Sequence, residues 1–118
     1  MIKLNINPRG KPRPRVTRWS TYSPDWYVLY AEKLKEEAEL NNYVVPEVLE
    51  NVTFVIQMAK SWSKKKKLAH DGQPHKDKPD LDNILKGFKD ALCENDSYVH
   101  TYNNITKIWG YEGAIICQ

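Results

Sequence analysis

Residues 51–59, NVTFVIQMA, have the alternating pattern of a β-strand with one buried face. Val52, Phe54, Ile56 and Met58 point one way, and the residues between them point the other way. Because a strand of this kind exposes an apolar face until something covers it, the rest of the chain must supply the covering layer. The strand is therefore the natural centre of the predicted fold.

Two helices are predicted, one on each side of this strand in the sequence. Ser23-Pro24-Asp25 is a typical helix start, with a capping hydroxyl, a proline in the first turn and an acid beside the positive end of the helix dipole. The apolar face of this first helix consists of Tyr27, Ala31, Leu34 and Ala38, and Asn41-Asn42 ends it. The apolar face of the second helix consists of Leu81, Ile84, Leu85, Phe88 and Leu92.

Further strands are predicted at both ends of the chain. Residues 2–6 alternate with period two, residues 98–109 form a second long strand, and Gly110 and Gly113 suggest a hairpin into residues 114–117. The elements therefore follow in the order strand, helix, strand, loop, helix, strand, strand. This order predicts an α+β fold, a small mixed, mostly antiparallel sheet with two helices on one face.

The size and composition indicate a single ordinary globular domain. The chain has 118 residues, of which 41% are hydrophobic and 28% are charged. It lacks an apolar run long enough for a membrane span, and its N-terminus lacks the apolar centre of a secretory signal. Its two cysteines, Cys93 and Cys117, provide neither a disulfide framework nor a four-ligand zinc site. We therefore expect one domain over residues 1–118, in the cytoplasm and without a membrane partner.

Basic residues are concentrated in two segments. Residues 9–18 and 60–78 contain 12 of the 18 lysines and arginines, so the rest of the chain is net acidic. This distribution favours a polyanionic partner, although two solvated loops that only keep the protein soluble would give the same pattern. Residues 61–78 show no periodicity and are predicted to be a mobile basic loop. For a DNA partner, the expected backbone contacts are Arg13, Arg15, Arg18, Lys64, Lys65, Lys66 and Lys67.

Acidic side chains gather at the start of the second predicted helix. At about 100° per residue, Asp82, Lys86 and Asp90 share one helix face, roughly opposite the apolar face. Asp80 can approach Asp82 only if it precedes the helix, at the N-cap position that Pro79 favours. A purely structural explanation is open, in which Asp80 caps the helix, Asp82 complements its dipole and Lys86 pairs with Asp82.

A metal-dependent nuclease site is the second explanation of these acids. Asp96 follows the helix at a turn, and it can return toward Asp80 and Asp82 if the next strand packs beside the helix. Aspartate oxygens suit Mg²⁺, which lowers the pKa of bound water and orients a phosphate. A nearby lysine, here Lys86, stabilises the negative charge that develops during phosphodiester hydrolysis.

The order of these residues resembles the RusA family of Holliday junction resolvases. The resemblance lies in Asp80-Leu81-Asp82-Asn83, then Lys86, then Asp90-Ala91-Leu92, then an acid before a strand. Upstream, RPRVTR at residues 13–18, with Tyr22 and the Ser23-Pro24 helix start, is similar to the basic N-terminal segment of the family. The strand at Ile105-Thr106-Lys107 also fits, so the resemblance extends over nearly the whole chain.

The resemblance implies an activity, a cofactor and a set of site residues. The expected protein is an Mg²⁺-dependent endodeoxyribonuclease, with Mn²⁺ able to substitute, that resolves four-way DNA junctions in recombination and repair. It would be a bacterial or phage-encoded homodimer whose two sites nick opposed strands. The resemblance implies Asp80, Asp82 and Asp96 as metal ligands and catalytic residues, with Lys86 as the catalytic lysine.

Other functions were weighed against this one. A non-catalytic nucleic-acid-binding module would use the same basic segments, and its acids would only cap the helix. A PD-(D/E)xK nuclease could begin at Pro79-Asp80, but no acid after Asp80 is followed two positions later by a lysine. A metal site at His70, Asp71 and His75 is disfavoured because these residues fall in the predicted loop. Among the tryptophans, Trp26 and Trp109 are expected in the core, and Trp19 and Trp62 at the DNA.

Overall fold

The computed structural model describes residues 1–12 and 24–118, together with the backbone of two short strands that lie between these ranges. In chain order the elements are β1 (Ile2–Leu4), β2 (Arg15–Val16), β3 (Thr21–Tyr22), α1 (Asp25–Leu40), β4 (Val48–Gln57), α2 (Lys64–His70), α3 (Leu81–Leu92), β5 (Thr101–Gly110) and β6 (Ala114–Cys117). A short 3-10 helix, Asp96–Tyr98, connects α3 to β5. No helix in the described ranges has the length and apolarity needed to cross a membrane.

A four-stranded mixed sheet carries the fold. The strand order is β1-β6-β4-β5, in which only the β4–β5 pair is parallel. The strands β2 and β3 form a separate antiparallel pair. The parallel pair is joined through α2 and α3, as parallel strands require a long crossover. These features confirm the predicted α+β fold with a mixed, mostly antiparallel sheet.

The prediction of a hairpin between β5 and β6 was wrong. The strand β6 pairs with β4 and β1, on the opposite side of β4 from β5. Because the parallel β5 already occupies one edge of β4, the turn from Gly110 to Gly113 carries the chain across the end of β4 to its other edge. Gly113 passes so close to Asn7 that an added Cβ would lie 2.4 Å from the Asn7 Cα. Glycine is therefore required at that crossing.

The core lies between the sheet and a layer formed by α1 and α3. The alternating side chains predicted to point inward are buried, namely Val52, Phe54 and Ile56 of β4 and Met58 just after it. Phe54 meets Phe88 of α3 edge to face at a centroid distance of 5.7 Å. From α1 the buried residues are Tyr27, Tyr30, Leu34 and Ala38, and from α3 they are Ile84, Leu85, Gly87, Phe88 and Ala91. Trp26 and Trp109 pack against this core, as expected.

A matched irregularity in β4 and β5 shifts the burial pattern. Asn51 and Asn104 both have left-handed backbone conformations, with φ of 52° and 57°. The strand pairing passes over both residues, and the Asn104 side-chain amide donates to the Asn51 side-chain oxygen at 2.7 Å. Asparagine tolerates this conformation better than most residues. As a result Leu49 and Val52, three residues apart, are both buried.

The prediction that residues 61–78 lack secondary structure was wrong. Lys64–His70 forms α2, and the Ser63 hydroxyl caps it by accepting from the Lys66 amide at 3.1 Å. Lysine is a good helix former, so a capped run of four lysines needs little apolar periodicity to be helical. The chain then pairs with the free edge of β5, where the Trp109 amide donates to the Gln73 carbonyl at 3.0 Å. The mobility of this segment stays a prediction.

Candidate active site

The start of α3 is arranged as the sequence predicted. Asp80 occupies the N-cap position with an extended backbone, and its carbonyl oxygen accepts from the Ile84 amide at 3.1 Å. Its carboxylate, however, makes no capping hydrogen bond. Asp82 lies in the first turn, where its carboxylate accepts from the Asn83 amide at 3.0 Å. The capping explanation therefore fails for the Asp80 side chain and fits only the dipole position of Asp82.

One side of α3 forms the wall of a shallow groove of about 410 Å³. Asp82, Lys86 and Asp90 all line it, which confirms that they share a helix face. Asp96, from the 3-10 helix that precedes β5, lines the same groove. The full lining, which we call the acidic groove, is Asp82, Leu85, Lys86, Lys89, Asp90, Asp96 and Tyr102.

Two of the three carboxylates in the acidic groove have lysine partners. Lys11, from the N-terminal segment, forms an ion pair with Asp90. Lys89 lies 3.4 Å from Asp96, and its ammonium also donates to the Tyr102 hydroxyl. The hydrogen bond to Tyr102, supported by the carboxylate of Asp96, raises the pKa of Lys89. Lys89 is therefore a fixed cation beside Asp96.

The remaining charged groups of the acidic groove, after these two ion pairs, are Asp82 and Lys86. Both are exposed, and neither takes part in an ion pair with any other residue that the structure describes. In particular, the pairing of Lys86 with Asp82 that the structural explanation requires is not formed. Within the described part of the chain, the groove thus presents one carboxylate and one ammonium without charged partners, next to two neutralised carboxylates.

Asp80 lines a different cavity. This neighbouring cavity has a volume of about 540 Å³ and includes Arg9, Trp26 and Lys78 in its lining. Over residues 1–12 and 24–118, no three histidine, cysteine, aspartate or glutamate side chains lie close enough together to hold a metal ion. The structure therefore brings Asp82, Lys86 and Asp96 into one groove but does not add Asp80 to them. The described residues of one chain thus do not show the three aspartates as a formed cluster, and their role as metal ligands stays a prediction.

Several residues of this region were missed by the sequence analysis. Lys89 follows Asp82 by seven positions and Lys86 by three, so helix periodicity alone could have placed it on the same face. Tyr102 and Lys11 come from other elements, and no local pattern in the sequence indicates their contacts. Lys107 of β5 donates from its ammonium to the carbonyl oxygens of Asp77 at 2.6 Å and of Pro79 at 2.7 Å.

The acidic groove lies near the start of β5, at Tyr102, whereas the basic helix α2 lies near the end of β5, at Trp109. Trp62 precedes it and packs on Trp109 at a centroid distance of 4.7 Å, while the Lys66 ammonium lies 4.0 Å from the centre of the Trp62 ring. Lys64, Lys65 and Lys66 are exposed, and Lys67 is half-buried. Trp62 is thus partly covered by its neighbours.

The DNA contacts predicted for the N-terminal basic segment fall on residues or side chains outside the described part of the chain. Arg13 and Arg18, like Trp19 and Ser23, lie outside the described residues, and so does the side chain of Arg15. Of the disfavoured histidine site, His70 donates from its Nδ1 to the Lys66 carbonyl oxygen at 2.8 Å, and His75 is buried against Trp109. Neither histidine belongs to a metal-binding group within the part of the chain that is described.

Comparison with known families shows to which protein family the chain belongs. The family model described as Endodeoxyribonuclease RusA matches residues 5–112 of the 118-residue chain. The chain belongs to the RusA family. The match includes most of the N-terminal segment, the acidic groove and all of β5, so the resemblance inferred from the aspartate motif is confirmed. No curated protein matches the chain in a direct comparison of sequences.

Proposed function

We propose that this RusA-family chain is an Mg²⁺-dependent, structure-specific endodeoxyribonuclease that resolves Holliday junctions by paired phosphodiester hydrolysis in DNA recombination and repair. The observation that carries the proposal is the acidic groove, where Asp82 and Lys86 share one face without charged partners among the described residues. A carboxylate and an ammonium on one surface, without ion-pair partners among the described residues, suit a reaction at a phosphate better than they suit stability. Family membership supports the same assignment.

Within this proposal the residues of the groove have distinct tasks. The Lys86 ammonium contacts the scissile phosphate and stabilises the charge that builds up on its oxygens. Asp82, with Asp80 and Asp96, supplies carboxylate oxygens of the kind that bind Mg²⁺ or Mn²⁺. Because Asp80 lies in the neighbouring cavity, we assign no step to an ion held by all three carboxylates. Lys89 and Lys11 reduce the repulsion between the groove and the DNA backbone by neutralising Asp96 and Asp90.

Contacts outside the groove hold the junction. Lys64, Lys65, Lys66 and Lys67 of α2, with Arg13, Arg15 and Arg18 of the N-terminal segment, bind phosphates without reading sequence. A homodimer carries two acidic grooves, which is the number that paired nicks on opposed strands require. This assembly remains part of the proposal.

A non-catalytic nucleic-acid-binding module is the second candidate. It explains α2 and the position of Asp82 in the first turn of α3, but it leaves a carboxylate that has no ion-pair partner among the described residues on a surface where it would repel DNA phosphates. The deciding experiment is to incubate the purified chain with a synthetic four-way junction, with Mg²⁺ or with a chelator, and to map the nicks on each strand. We expect symmetric nicks on two opposed strands that depend on Mg²⁺. Tight binding without any nick would favour the module.

A further inference from the structure

We propose that Lys107 is a positioning residue that fixes the backbone ahead of Asp80 and so sets where the aspartates at the start of α3 lie. The inference rests on the proposed nuclease function for its catalytic consequence, but its structural part can be tested without any activity. Lys107 lies on β5, beside Phe54 of the neighbouring strand, and its side chain extends to the segment that leads into α3.

Lys107 binds three alternate residues of that segment. Its carbonyl oxygen accepts from the His75 amide at 3.1 Å, which is the last backbone bond between the segment and β5. Beyond His75, the Lys107 ammonium holds the segment, because it donates to the carbonyl oxygens of Asp77 and Pro79 at 2.6 and 2.7 Å. Hydrogen bonds from a charged donor are stronger than those between neutral groups. The segment is therefore held to β5 up to the residue directly before Asp80.

The N-terminal segment also packs against Pro79. Gly10 approaches so closely that an added Cβ would lie 2.8 Å from the Pro79 Cβ. The next residue, Lys11, donates its amide to the Asn83 carbonyl at 3.2 Å. Pro79 is thus in contact with both the N-terminal segment and the Lys107 ammonium. Asp80 and Asp82 follow directly from this fixed point.

The ammonium of Lys107 has no carboxylate partner among the described residues. A half-buried charge is costly unless hydrogen bonds compensate it, and here the two carbonyl oxygens of one segment do so. The charge is therefore used to hold backbone. Both carbonyls are near the surface, so water can replace the donor in a variant, and the fold should survive the substitution.

The structural test compares Lys107→Met, which keeps the stem and loses the donors, with Lys107→Arg, which keeps donors. Lys3→Met, on the exposed face of β1, is the matched control. Hydrogen exchange is followed at the amides of Ile84 and Lys11, which bond to Asp80 and Asn83. We expect exchange about tenfold faster in Lys107→Met only, with unchanged protection in β4. Unchanged exchange at both amides would overturn the inference, and Lys107→Gln replaces Lys107→Met if the latter does not fold.

The functional test measures junction cleavage against Mg²⁺ concentration, and junction affinity without Mg²⁺. We expect Lys107→Met to cleave about 10- to 100-fold more slowly with unchanged affinity, because it displaces groups at the site without touching DNA. Lys107→Arg should recover most of the rate. Wild-type cleavage by Lys107→Met would overturn the inference. Absence of cleavage by the wild-type chain would instead reject the proposed function, while the exchange data still decide the positioning role.

Discussion

At the scale of single residues, His75 is a buried polar side chain in a site that cannot easily accept a charge. It is 4% exposed, its ring lies 4.1 Å from that of Trp109, and its Nδ1 has no hydrogen-bond partner in the described structure. Burial, and secondly the nearby Lys107 cation, lower the pKa of His75 from its ordinary value of 6.5, against a smaller opposing effect of Asp77. The folded protein therefore favours the neutral imidazole more strongly than the unfolded chain does.

A pH dependence of stability follows from this lowered pKa. The unfolded chain takes up a proton at His75 as the pH falls through about 6.5, whereas the folded chain takes it up only at lower pH, so acid favours unfolding in this window. We expect His75→Phe to lose part of the drop in the free energy of unfolding between about pH 7.5 and pH 5.5, as measured by urea titration. The exposed His100→Gln is the control. An identical drop in wild type and His75→Phe would contradict the assignment.

Residue by residue, the acidic groove was only partly predictable. Helix periodicity places Asp82, Lys86 and Asp90 on one face, and the structure confirms it. The contact of Lys89 with Tyr102 joins α3 to β5, and it depends on how helix and strand pack. The position of the Asp80 carboxylate relative to Asp82 depends on the backbone angles of an N-cap, which a spacing of two residues does not determine.

At the scale of elements, α2 is a short helix that the spacing of apolar residues could not predict. Its seven residues include no buried side chain, so it has no apolar face to recognise. The Ser63 cap and the packing of Trp62 on Trp109 stabilise it instead. The strand order could not be predicted from local sequence either, because the sequence of β6 does not determine which edge of β4 it pairs with.

The lysines of α2 provide a prediction at this scale. Changing Lys64, Lys65, Lys66 and Lys67 together to Gln should weaken junction binding and flatten its salt dependence, by about 0.9 in the logarithmic slope for each lost phosphate contact. Binding is measured in a chelator across a range of salt concentrations. Lys33→Gln with Lys35→Gln, on the exposed part of α1, is the matched control. The same slope in the α2 variant and in the wild type would show that α2 does not touch DNA.

At the scale of the whole molecule, β5 connects the two surfaces that the proposed function uses. Tyr102 lines the acidic groove near one end of β5, and Trp109 supports α2 near the other end. They are seven positions apart on the strand, a distance of at most about 23 Å. At about 3.4 Å per base pair, a duplex arm would need about seven base pairs to contact both surfaces. Lys107 lies between them on the same strand.

The central claim is that the acidic groove cleaves DNA, and Asp82→Asn tests it most directly. Asp25→Asn is the matched control, because Asp25 is also an acid in the first turn of its helix. Junction binding without Mg²⁺ and cleavage with Mg²⁺ are measured for both variants and for the wild type. We expect Asp82→Asn to bind as tightly or more tightly, since it removes a negative charge facing phosphate, and to cleave at least about 100-fold more slowly. Asp25→Asn should match the wild type. Undiminished cleavage by Asp82→Asn would contradict the account.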